Sequence, residues 1–191
     1  MKQLILASAS PRRINLLATI GIHAKVVSSR FEEIKNNDLR PEQLVVENAL
    51  GKAKEVAVRY KNSIVIGADT MVVLKGTMLG KPQSISEAYD MLKKLSGTSH
   101  TVCTGIAVVD AQSNKSVTKT VMTKVWFKKL SAIEIESYIK STNPFDKAGA
   151  YGIQEKAALF ITKIEGDYFN VVGLPLYPLR ELLIQFGVEL L

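Results

Sequence analysis

Apolar positions along this chain switch repeatedly between the two spacings that mark strands and helices. Lys2–Ala7 is an apolar run that predicts a strand, and Pro11–Ile20 a helix with Leu16, Leu17 and Ile20 on one face. Ala24–Ser28 reads as a second strand. From Pro41 onward, Leu44, Val45, Ala49, Ala53, Val56 and Tyr60 recur at helical spacing, which predicts one long helix. Ser63-Ile64-Val65-Ile66-Gly67 is almost wholly apolar, the pattern of a strand covered on both faces. Met71–Leu74 and Thr77–Leu79, separated by Lys75-Gly76, predict a hairpin.

Boundary signals sharpen the second half. Ser84-Ile85-Ser86-Glu87 and Ser131-Ala132-Ile133-Glu134 each place a hydroxyl three residues before a glutamate, the spacing of a capping box, and start helices that run to about Leu95 and Ser141. Two long strands, Thr101–Asp110 and Val117–Lys128, flank a turn at Ser113-Asn114-Lys115. A glycine-containing loop, Asn143–Gln154, precedes a strand over Leu159–Ile164, a turn at Glu165-Gly166-Asp167 and a last helix, Pro175–Phe186. The alternation defines an α/β protein with a mixed central sheet, long antiparallel members and flanking helices. The order of the strands is not contained in the pattern. No repeat, low-complexity tract or linker interrupts the chain, and 191 residues suit one domain over 1–191.

Composition narrows the function classes. Hydrophobic residues make up 47% of the chain, enough for a core, yet no apolar run approaches the ~20 residues of a membrane span. A cytoplasmic protein with no membrane partner is the expectation. The single cysteine, Cys103, rules out an internal disulfide and falls in a strand pattern, as a small core residue would. The net charge of +7 favours anionic partners. Lys93-Lys94, Lys128-Lys129 and the cations of 52–61 lie in separate segments, with no aromatic-interleaved basic stripe, so a polyphosphate-bearing small molecule fits better than nucleic acid.

Four segments carry candidate chemistry. In Leu6-Ala7-Ser8-Ala9-Ser10-Pro11-Arg12-Arg13, Ser10 stands at an N-cap and Pro11 at the first helical position, so the first helical N–H groups point outward. Arg12 and Arg13 oppose the helix dipole there, a cost that a bound phosphate or carboxylate would offset; a solvated arginine pair beside an ordinary cap accounts for the same residues. Gly67-Ala68-Asp69-Thr70 places Asp69 at the carboxyl end of a buried strand, where open α/β sheets bind ligands, or in a common turn. Gly80-Lys81-Pro82 presents a cation on rigid backbone, and Lys52 falls nearer the apolar stripe of its helix than Lys54. Glu32 and Glu33 sit in a polar loop. In Asp146–Gln154, Tyr151 and Gln154 could read a nucleobase by stacking and by paired hydrogen bonds. His23 and His100 lack partners at metal spacing and read as structural or exposed.

LASASPRR (Leu6–Arg13), GADT (Gly67–Thr70), GKP (Gly80–Pro82) and DKAGAYGIQ (Asp146–Gln154), together with LSGTSH (Leu95–His100) and GDYFNVVGLP (Gly166–Pro175), occur in the order of the Maf family of nucleoside triphosphate pyrophosphatases, which the chain resembles over nearly its whole length. The resemblance implies two α/β lobes around a cleft, similar to inosine triphosphate pyrophosphatases. It implies hydrolysis of a nucleoside triphosphate to monophosphate and pyrophosphate with a divalent cation, magnesium or manganese, in a homodimer. Asp69 corresponds to the proton acceptor, Arg12, Thr70 and Gln154 to selectivity positions, and Glu33, Lys52 and Lys81 to further active-site residues. Ser8, Ser10 and Arg13 complete the substrate-binding set, and Glu33 and Asp69 are the expected metal ligands. The YGIQ ending resembles the branch acting on dTTP and UTP, although Glu155 follows where those relatives usually have glycine. Competing readings are a pyrophosphatase for modified or purine triphosphates and a non-enzymatic nucleic-acid-binding or cell-division regulatory module.

Overall fold

The computed structural model describes residues 2–35 and 38–190. The opening apolar run forms β1 (Gln3–Leu6), which pairs in parallel with β2 (Lys25–Val26) on one side and β3 (Ser63–Leu74) on the other. Helices α1 (Pro11–Thr19) and α2 (Pro41–Arg59) lie in the connections between these strands. β4 (Thr77–Leu79) runs antiparallel to β3 with Val72 opposite Leu79. After α3 (Ile85–Leu95) come β5 (Ser99–Asp110), β6 (Ser116–Phe127), α4 (Ala132–Ser141) and β7 (Ile161–Glu165), which is antiparallel to β6. α5 (Tyr168–Val172) and α6 (Leu176–Ile184) follow. The hydrogen-bonded order is β2-β1-β3-β5-β6-β7, with β4 beside β3, so the sheet is mixed and seven-stranded as the alternation implies.

The chain divides into two compact units. One comprises the residues up to Asp69, Thr104–Val121 and those from Gly173 onward; the other comprises Thr70–Cys103 and Met122–Val172. In the first unit Ile5, Val65, Ala107 and Val109 pack against Ala49, Ala53 and Val56 of α2. Gly67 permits this approach, because a Cβ there would come within 2.1 Å of the Ala49 carbonyl oxygen. In the second unit Met91, Leu92 and Leu95 of α3 and Ile135 and Ile139 of α4 share a core with Val125, Phe127 and Phe160. Both predicted helix starts form. Ser131 Oγ accepts from Glu134 N at 3.3 Å and Glu134 Oε2 from Ser131 N at 2.8 Å, a complete box of the kind in which the cap contributes about 1 kcal/mol. At α3, Ser84 Oγ accepts from Glu87 N at 3.1 Å, but Glu87 turns its carboxylate to Gln83 N.

Two expectations change, and one short helix is added. The buried strand and the first hairpin arm are one continuous strand, β3, because its partner changes along its length: it is parallel to β1 up to Ile66 and antiparallel to β4 from Val72. Asp69 therefore lies within an extended strand, just past its parallel segment. Ser10 holds the N-cap position of α1, but its side chain does not cap. α5 was not signalled by hydrophobic periodicity; it is started by Asp167 Oδ1, which accepts from Phe169 N at 2.7 Å. Among the described residues, no helix is long and apolar enough to cross a membrane.

Candidate active site

The first unit contains seven of the expected site residues, Ser8, Ser10, Arg12, Arg13, Glu33, Lys52 and Asp69. Asp69 is buried, with 8% of its surface exposed, and faces α2 from β3. Lys52, on the inward side of that helix, donates from Nζ to Asp69 Oδ1 at 2.7 Å and to Glu33 Oε1 at 2.6 Å. The stripe that placed Lys52 inside and Lys54 outside is thus realised, and two carboxylates of distant segments converge on one ammonium. The pairing is close and only 12% of the Lys52 side chain is exposed, so it lies in a medium where charge interactions exceed their strength in water.

Glu33 is held in place by its neighbours. The Phe31 ring lies over Gly51, where a Cβ would come within 2.3 Å of the ring. One helical turn earlier, Asn48 Oδ1 accepts from Ile34 N at 2.8 Å while its Nδ2 donates to Asp69 Oδ2 at 3.2 Å. Asn48 therefore ties the acidic loop and the catalytic candidate to the same face of α2 as Lys52. Sequence reasoning passed over it, although its position four residues before Lys52 puts both on one helix face.

The opening turn behaves differently from expectation at one residue. Ser8 Oγ accepts from Ser10 N at 3.2 Å and so shapes the turn. Arg12 is half-buried in the first turn of α1. Arg13 turns into the protein, donating from Nε to Gly173 O at 2.8 Å and from Nη1 to Ala68 O at 2.9 Å and Ser8 Oγ at 3.2 Å. Arg13 thus is not one of a solvated arginine pair but braces the turn against the backbone beside Asp69. Burial pulls its guanidinium below its ordinary pKa, and the charge of Asp69 works against that, so the two side chains sense one another.

The remaining expected residues belong to the second unit. Thr70 follows Asp69 on β3 and is half-buried. Lys81 is exposed in the segment after β4, where the Gly80 carbonyl accepts from Gly149 N at 2.9 Å. Gln154 is exposed in the loop that contains Gly149. That hydrogen bond joins the segment carrying Lys81 to the loop carrying Gln154. Tyr151 is not available to stack on a base. It is 6% exposed, meets His100 Nε2 with its hydroxyl at 2.7 Å, and packs edge-on against His100 and Phe127. Burial raises its phenol above the ordinary range and holds His100 down to about 4. Cys103 is fully buried, as its strand pattern implies.

Among the described residues, no group of three or more His, Cys, Asp or Glu side chains could hold a metal ion. The donors that do converge are the two hard carboxylates of Glu33 and Asp69.

Residues 3–186 match the family described as Maf-like protein, and the chain belongs to that family. A dTTP/UTP pyrophosphatase of Dictyoglomus turgidum is 51% identical over 191 residues, covering 100% of this chain and 99% of that protein. One from Alkaliphilus oremlandii is 51% identical over 193 residues and is covered completely, and one from Moorella thermoacetica is 49% identical over 189. A solved structure of a HAM1 protein from Coxiella burnetii overlaps 66% of this chain and 73% of its own, at 14% identity and a TM-score of 0.47.

Proposed function

We propose that this protein hydrolyses nucleoside triphosphates to the monophosphate and pyrophosphate, with dTTP and UTP as preferred substrates, and that Asp69 and Lys52 carry the chemistry. The observation behind the assignment is the Asp69–Lys52–Glu33 cluster, with contacts of 2.7 and 2.6 Å, in a chain half identical to dTTP/UTP pyrophosphatases from end to end.

The reaction adds water to phosphorus and breaks the bridge between the α and β phosphates, so that pyrophosphate leaves with the bonding electrons. Asp69 takes the proton of the attacking water. It is suited to this because Lys52 and Asn48 fix both of its oxygens from one side and keep the carboxylate oriented. Lys52, Arg12 and Lys81 neutralise the charge that accumulates on the phosphates, and Ser8 and Ser10 set the turn that presents the first amides of α1. Gln154 matches its amide to the carbonyl and N–H edge of uracil or thymine, and Thr70 lies within the selectivity segment. Two convergent carboxylates fit a magnesium or manganese ion, which binds through one or two carboxylates and completes its shell with phosphate oxygens and water. Glu33 and Asp69 would hold it, and bound there it would polarise the phosphoryl oxygens and offset their charge. The reading carries with it a cytoplasmic homodimer.

A panel of dTTP, UTP, CTP, purine and modified triphosphates, assayed for pyrophosphate release, tests the assignment. Release from dTTP and UTP ahead of the others is expected, and excess chelator should stop it until magnesium or manganese is restored. Preferential use of purine or modified triphosphates favours the competing enzyme. No release from any member of the panel, with cation present, overturns the enzymatic reading.

A further inference from the structure

A second lysine is enclosed more completely than Lys52, and the reaction does not use it. Lys147 exposes 4% of its side chain. Its ammonium donates to Asn143 O at 2.6 Å and to Asp146 Oδ1 at 2.7 Å, and pairs with Glu155 Oε1 at 3.1 Å. Two of its N–H groups are hydrogen-bonded, and the Glu155 carboxylate adds an ion pair, so three oxygens surround the ammonium. Two come from the start of the 143–155 loop and the third from its end, so the side chain closes the loop across its own base. Gln154 is the residue next to that closure. The loop has further anchors: Gly152 N donates to Tyr138 Oη at 3.2 Å, and Gly149 N to the carbonyl of Gly80, the neighbour of Lys81.

We infer that Glu155, acting through Lys147, is a positioning residue for base selection: it holds the end of the loop so that the Gln154 amide meets the pyrimidine edge in one orientation. The inference rests on the proposed role of Gln154. It gives a physical role to the carboxylate that follows the YGIQ segment, where a glycine would remove one of the three oxygens around a buried ammonium. A buried ammonium deprived of a nearby oxygen is costly, so the loop without that carboxylate shifts to admit water or another acceptor, and the Gln154 amide moves with it. The carboxylate of Glu155 is itself partly solvated, with 38% of the side chain exposed, so the fold tolerates its replacement.

The test is steady-state kinetics on UTP and CTP for wild type, Glu155→Ala, Glu155→Gln and Gln154→Glu, with melting temperatures alongside. Glu155→Ala should lower the UTP-to-CTP ratio of kcat/KM by about tenfold, through a higher KM for UTP with kcat within about twofold. Glu155→Gln still offers an oxygen to Lys147 and should keep the ratio within about twofold of wild type. A wild-type ratio in a folded Glu155→Ala, when Gln154→Glu alters it, overturns the inference and leaves the role of Gln154 standing. If Gln154→Glu also leaves the ratio unchanged, the base-reading role falls with it. Loss of selectivity in Glu155→Gln equal to that in Glu155→Ala likewise counts against positioning through the ammonium.

Discussion

Each unit of the molecule contains a lysine set between two carboxylates, and the two differ in one respect that separates chemistry from structure. Lys52 uses two of its three donors among the described residues, on Glu33 and Asp69. Lys147 also makes two hydrogen bonds, to a carboxylate and a backbone carbonyl, but has a third oxygen partner in the ion pair with Glu155 and is more deeply buried. An ammonium enclosed by three oxygens has little to offer a ligand and is worth most as a brace. An ammonium with a donor in hand, beside a buried carboxylate, can meet a phosphate while its partner handles a proton. Sequence proximity to charge does not distinguish the two; the count of oxygens around each does.

The largest effect expected from this contrast comes from matched removal of one negative charge on each side. Asp69→Asn should lower kcat on dTTP by about a thousandfold or more with little change in melting temperature, because the shape stays and the proton acceptor goes. Asp146→Asn, whose amide oxygen still accepts from Lys147, should leave kcat within about threefold of wild type. Measured turnover of the two variants that falls by similar factors would erase the contrast.

A smaller effect concerns the floor of the braced loop. His100 is buried under Tyr151, and its pKa is lowered from 6.5 to about 4 by burial. Between those values the unfolded chain binds a proton that the folded chain refuses, so this group's contribution to stability is complete above pH 6.5 and is lost as the pH falls toward 4. The loss amounts to about 3 kcal/mol at most. His100→Gln, which keeps a polar group against the Tyr151 hydroxyl, should flatten denaturant-derived stability over that interval relative to wild type. Identical slopes in the two proteins would remove His100 from the pH response.

The smallest effect is on selectivity. Gln154→Glu replaces an amide donor by a charge facing a pyrimidine carbonyl, and should cost dTTP and UTP about 1–3 kcal/mol in kcat/KM relative to CTP, which presents an amino donor at that edge. Equal losses on all three would make Gln154 a support for the loop and not a reader of the base.

Much of this was legible along the chain where short-range rules apply. The α2 stripe placed Lys52 inward, the capping boxes started α3 and α4, and the apolar run ending at Gly67 put Asp69 just past the parallel segment of β3. What escaped depended on partners far away in sequence. Arg13 turns inward because the Gly173 carbonyl, 160 residues later, accepts from it. Tyr151 reads along the chain as a residue that could stack on a base, and is buried because His100 and Phe127, on β5 and β6, meet it edge-on. Lys147, beside Asp146, has the local look of a solvated ion pair; only closure of the loop by Glu155 encloses it. Asn48 carries no motif signal, and its role exists because Ile34 and Asp69, distant from it in sequence, both hydrogen-bond to it.

Paired methionine substitutions test the central contrast most directly, since methionine keeps most of the lysine stem and deletes the charge. kcat on dTTP and melting temperature should be measured for Lys52→Met and Lys147→Met in the same preparation series. Lys52→Met is expected to lose about a hundredfold or more in kcat and also about 3 kcal/mol of stability, because it leaves the buried Asp69 carboxylate without its ammonium. Lys147→Met is expected to lose about 2 kcal/mol of stability, roughly 5 °C, less than a fully buried pair would because its carboxylates reach water, while kcat stays within about tenfold. Near wild-type turnover in a folded Lys52→Met, or a greater loss of kcat in Lys147→Met than in Lys52→Met, would contradict the assignment of chemistry to one lysine and structure to the other.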